Sequence, residues 1–108
     1  MIPLEEFQKI DLRVGKILEV ERIAGSDKLL KLDVDLGEEL GKRQLIAGIG
    51  KVYEPESIRG RQIVIVSNLE PKMMMGLESQ GMLLAADSSE GPVLLTPAKD
   101  VLPGTKIK

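Results

Sequence analysis

From Leu30 to Leu36 the chain alternates without a fault: Leu30, Leu32, Val34 and Leu36 are apolar, and Lys31, Asp33 and Asp35 between them are charged. A two-residue period puts the four apolar side chains on one face of a strand and the three charges on the other. This is a half-buried strand. The stretch before it obeys the same rule over a longer distance. Ile10, Leu12, Val14, Leu18 and Val20 share one phase with charges between them, but Lys16 interrupts that phase and Gly15 precedes it. A bulge or sharp bend at Gly15–Lys16 would let one long strand serve two sheets.

The remaining elements follow from turn residues and β-branched runs. Pro3 followed by Leu4, Glu5, Glu6 and Phe7 suits a short helical turn, with acids favoured by the helix dipole. Ser26-Asp27 makes a turn or cap, Gly37 to Gly41 reads as a polar turn, and Arg43 to Ile49 as a returning strand. Tyr53 to Ile58 fits one helical turn stopped by Gly60. Arg61 to Val66 is the most β-branched segment, apolar on both phases, and is expected to be a central strand. Gly81 to Ala86, Val93 to Thr96 and Thr105 to Lys108 supply further strands, with a mobile turn from Asp87 to Pro92. The fold class is all-β: a five-stranded OB-fold barrel with short helices at the N-terminus and between strands 3 and 4. The strand count alone is also compatible with another small β-barrel or sandwich.

Residues 1–108 are read as a single domain, large enough to close one modest core. The chain contains neither Cys nor His. There is therefore no thiolate metal site, no disulfide framework and no imidazole for acid–base work. Asp33, Asp35 and Glu38 look faintly like a calcium loop, but Gly37 stands where a third ligand is needed. Gly48-Ile49-Gly50-Lys51 lacks the glycine spacing and the following Ser/Thr of a phosphate loop. The expectation is no catalytic residue, no metal and no cofactor.

Acidic and basic residues number 17 and 15, with 10 and 8 before Lys51 and 7 of each from there on, so no half forms a basic arm. A nucleic-acid binder of this composition must cluster its cations on one face, with modest, salt-sensitive affinity. One Phe and one Tyr leave little for base stacking along an extended strand, whereas reading a folded RNA by shape and phosphates needs only placed cations and polar groups. No apolar run approaches the ~20 residues of a membrane span. The chain is expected to be soluble and cytoplasmic.

The richest segment is Asn68 to Met82, NLEPKMMMGLESQGM, read as a loop that returns into another strand. With Asp11-Leu12-Arg13-Val14-Gly15-Lys16-Ile17, Ser26-Asp27-Lys28-Leu29, Arg43 to Ile49 and Tyr53-Glu54-Pro55-Glu56, it resembles, in order, the tRNA-binding domain appended to methionyl-tRNA synthetases and also found as free-standing proteins. The resemblance implies an OB-fold that binds the outside of the tRNA L-shape with little sequence preference. It implies RNA contacts at Asn68, Lys72, Ser79 and Met82, with Lys28 and Arg43 as phosphate contacts. It further implies a partner, the catalytic subunit of methionyl-tRNA synthetase, and a homodimer built from the N-terminal turn (1–8) and the C-terminal extension (93–108). The Met1 start suggests a free-standing β subunit, although a domain excised from a synthetase would look the same. Where the family often carries two or three basic residues after the Pro, this chain has Lys72 and then Met73, Met74 and Met75. A related family with the same barrel resembles a secretion chaperone that binds peptides, and the Met run suits that alternative.

Overall fold

In the computed structural model, which describes residues 1–108, a one-turn helix α1 (Leu4–Phe7) leads into β1 (Leu12–Arg22), the longest strand. Next come β2 (Leu30–Asp35), a one-turn helix α2 (Gly37–Leu40), β3 (Lys42–Ala47), a third short helix α3 (Pro55–Ile58) and β4 (Gln62–Val66). The hairpin β5 (Lys72–Met74) and β6 (Leu77–Ser79) precedes β7 (Met82–Leu83). The hairpin β8 (Ala85–Ser88) and β9 (Gly91–Leu94) and the short β10 (Lys106–Ile107) complete the chain. The main sheet runs β3-β2-β1-β4-β7, with β10 added to β1. It curls into the nearly closed OB-fold barrel expected, and the helix between the third and fourth strands is in place.

One strand does serve two neighbours. Leu12–Lys16 pairs with β4 and Lys16–Arg22 pairs with β2. The irregularity lies beyond the expected position: register shifts between Ile17 and Glu19, so Leu18 is the extra residue. Inserting one residue changes which side faces in. Ile17 and Val20 are therefore both buried while Leu18 is only half-buried; Ile10, assigned to the buried phase, lies before β1 and is exposed. Gly15 has a different task. A side chain there would strike Val34, Ile65 and Leu36 at 2.5–2.9 Å, so its absence lets the barrel wall close on itself.

The core is aliphatic: Ile17, Leu30, Leu32, Val34, Leu36, Leu45, Ile63 and Ile65 all lie at or near zero exposure. Ile58, on α3, is also completely buried and packs into the same cluster. Two expected turns proved more ordered. Gly37–Leu40 forms a helical turn after Asp35 Oδ1 accepts the Gly37 amide at 2.8 Å. Within the 68–82 segment, Lys72–Met74 and Leu77–Ser79 pair as a hairpin. No helix is long and apolar enough to cross a membrane.

Candidate nucleic-acid interface

The free edge of β3 is where the hairpin docks, and it docks through polar groups. Ser79 is buried, its hydroxyl accepting the Ile46 amide and donating to the Gly81 carbonyl, both at 3.0 Å. The Gln80 amide donates to the Gln44 carbonyl at 2.7 Å, and Gln80 Oε1 accepts the Gln44 amide at 2.9 Å. Arg43 Nη1 donates to the Ser67 and Gln80 carbonyls at 3.0 and 3.1 Å. These bonds close the barrel between β3 and β7 where strand pairing is interrupted.

Asn68 stands at the base of the same segment and points toward the N-terminus. Its Oδ1 accepts the Asp11 amide at 2.9 Å and its Nδ2 donates to the Lys9 carbonyl at 2.7 Å. Beside it lies a partly buried ionic knot around Arg13. Arg13 Nε binds both Asp11 carboxylate oxygens at 3.0 and 3.1 Å, Nη1 reaches the Gly104 carbonyl at 3.1 Å, and Nη2 reaches Glu39 at 3.0 Å. The Ser67 hydroxyl also donates to Asp11. That hydroxyl, followed by Arg13, holds the Asp11 carboxyl below its ordinary value, although partial burial opposes the shift. The Asp11 and Glu39 carboxylates raise Arg13 in turn.

The other three sequence-assigned residues are placed differently. Lys28, Lys72 and Met82 are exposed, as Asn68 is, but make no side-chain hydrogen bond within the chain, and neither lysine joins any ion pair. Lys72 and Met82 border a groove of about 510 Å³, together with Leu69, Glu70 and Met74, over Ile46 of β3. Lys28 lies in the β1–β2 turn, shaped by the Ser26 hydroxyl accepting the Leu29 amide at 3.1 Å. Its stem runs across Gly48, where an added Cβ would meet Lys28 Cε at 2.9 Å. That glycine is two residues beyond Ile46. The hairpin tip reaches the same turn: a Cβ on Gly25 would lie 3.5 Å from Met75 Cε. Thus Lys28, Lys72 and Met82 border one surface at the end of β3, while Arg43, Asn68 and Ser79 hold its supports.

Sequence reasoning missed Ile46, Leu69 and Glu70 as groove residues and Gln44 and Gln80 as closers of the barrel. No period or motif in the sequence singles these residues out.

The family model described as "Putative tRNA binding domain" matches residues 12–106. The chain is 56% identical over all 108 residues to the methionine–tRNA ligase of Methanothrix thermoacetophila, spanning 16% of that protein's length. Among solved structures, it resembles a MetRS related protein from Pyrococcus horikoshii at 34% identity and TM-score 0.92, covering 100% of this chain and 98% of that one. It also resembles chaperone CsaA from Bacillus anthracis at 37% identity and TM-score 0.90, covering 100% and 99%.

Proposed function

The chain belongs to the tRNA-binding domain family, and on that premise we propose that it binds the folded shape of tRNA with little sequence preference and without catalysing a reaction. The observation that carries this reading is the pair Lys28 and Lys72, both exposed and free of acidic partners, on two segments that meet over β3. In OB-folds the face of strands 2 and 3 and the loops after strands 1 and 4 take oligonucleotides. Two ammonium groups there supply phosphate contacts, which position a nucleic acid without reading its sequence. Arg43, Asn68 and Ser79 act at one remove, fixing the segment that carries Lys72 on the hairpin and Met82 on β7.

The partner is methionyl-tRNA synthetase, with this chain acting as a β subunit or C-terminal domain. Tethered or docked beside a catalytic domain, it adds tRNA-binding energy through effective concentration, in the cytoplasm. Ile2, Leu4, Phe7 and Ile10 of the N-terminal segment, with Leu102 and Ile107 near the other end, are exposed apolar residues suited to a two-fold homodimer contact. A second reading, peptide capture, is favoured by the exposed Met73 and Met75 and by the likeness to a chaperone.

The test is fluorescence anisotropy with folded tRNA at low and moderate salt, competed by unstructured RNA of equal length. Lys28→Glu with Lys72→Glu should weaken every tRNA alike by about ten-fold or more and flatten the salt slope by about one unit per cation. Capture of unfolded polypeptide with no tRNA binding at low salt would select the peptide reading.

A further inference from the structure

Phosphate contacts explain Lys28 and Lys72 but not their surroundings. The groove beside Lys72 is walled by Leu69, Met74 and Met82 over Ile46. Met82 is 49% exposed and Leu69 46%. Apolar surface of this kind has nothing to offer a phosphate or a ribose hydroxyl. Among the parts of an RNA, only the face of an unstacked base matches it. A groove of about 510 Å³ is within the ordinary size for small-ligand sites.

The usual platform for a base is aromatic, and none is available here. The single Tyr, Tyr53, is half-buried and its hydroxyl accepts the Leu94 amide at 3.1 Å. The single Phe, Phe7, lies on α1, in the N-terminal segment that borders a different cavity. Thioethers are polarizable, flexible and favourable against π-faces, so Met74 and Met82 can take that role. Glu70 completes the groove. It is exposed, lines the same cavity as Lys72, and forms no hydrogen bond or ion pair within the chain.

We infer that this groove receives one unstacked nucleobase of the bound RNA, with guanine preferred. The inference rests on the tRNA-binding reading above and adds a subsite to it. A carboxylate is an acceptor only, with two oxygens side by side. Guanine alone presents two adjacent donors, N1–H and the N2 amino group, on its Watson–Crick edge. Adenine and cytosine each set an acceptor beside their amino group, and uracil flanks its one N–H with two carbonyls that the carboxylate repels. Glu70 thus takes the base edge, Met74 and Met82 take its face, and Lys72 takes the adjoining phosphate.

The experiment is an amide NMR titration of the full chain with the pentanucleotides UUGUU, UUUUU and UUIUU, where inosine lacks the N2 amino group. UUGUU should shift the Leu69, Ser79 and Met82 amides and bind about five-fold or more tighter than UUUUU, with UUIUU between. Glu70→Gln should abolish the difference. Equal affinities, shifts confined to other amides, or a preference that survives Glu70→Gln would overturn the inference, as would an apolar peptide shifting these amides when no oligonucleotide does. Folded tRNA is titrated into the same protein. If tRNA binds and the guanosine preference is missing, only the subsite fails; if tRNA does not bind, the broader function fails.

Discussion

Across β2 and β3, Leu30, Leu32, Leu45 and Ala47 turn inward while Lys31, Asp33 and Gln44 sit on the opposite face. Across the seam between β3 and the hairpin the distribution is turned round. Ser79, Gln80 and Arg43 direct their polar groups into the joint, and Met73, Met75 and Met82 are left 62%, 55% and 49% exposed. The barrel wall is held mainly by removing hydrocarbon from water, which is non-directional and tolerant of small shifts. The seam is held by hydrogen bonds of fixed geometry, which specify position but contribute only about 1 kcal/mol each. Apolar side chains that the seam does not use are thereby free for a partner. This difference separates what keeps the chain folded from what it can offer another molecule.

The comparison breaks most visibly at Ile58. Ile58→Ala empties a fully buried site and should destabilise the barrel by about 3 kcal/mol, seen as a lower denaturation midpoint. Ser79→Ala should cost about 2 kcal/mol, because it strands the Ile46 amide at the seam. Amide exchange should distinguish the two: Ile46 loses protection in Ser79→Ala before the β1 and β2 amides do.

A smaller effect should come from the ionic knot at the foot of the seam. Asp11 has a depressed pKa in the folded chain. Its contribution is fully present above the unfolded value of about 3.9 and disappears as pH falls through the lower folded value. Asp11→Asn should therefore cost about 1 kcal/mol at neutral pH and remove part of the acid dependence of unfolding below pH ~4. Smallest of all, Lys72→Ala should alter stability by less than about 0.5 kcal/mol, since the side chain is exposed and unpaired. A larger loss would show that Lys72 holds the hairpin and is not free for a ligand.

The barrel was readable because its strands carry the period that burial enforces, from Leu30–Leu36 to the double-faced Ile63–Val66. Leu18 misled because a bulge reverses the phase without leaving a mark in the letters. The hairpin escaped for another reason. Its two-residue loop is Met75-Gly76, with φ of 50° and 80°. Tight hairpins of that hand ordinarily show Asn-Gly or Asp-Gly, and Met at the first position hides the turn. At the site, the resemblance implied RNA contacts at Arg43, Asn68 and Ser79, whereas their bonds to Ser67, Gln80, Lys9 and Ile46 depend on how distant segments meet, which the letters do not show. The exposure of Lys28 and Lys72 was easier to foresee, because a lysine ammonium seldom leaves water.

The pairing of β10 with β1 also sets an order of events in time. Arg13 takes its carbonyl partner at Gly104, 91 residues later, and Leu12 lies opposite Ile107. The first strand therefore cannot acquire its last neighbour until nearly the whole segment has left the ribosome. Local turns and hairpins form within microseconds, but a contact of that span waits on diffusion of the chain. During synthesis, the end of β1 that borders the N-terminal segment stays an open edge longest, and the final few residues act as its latch.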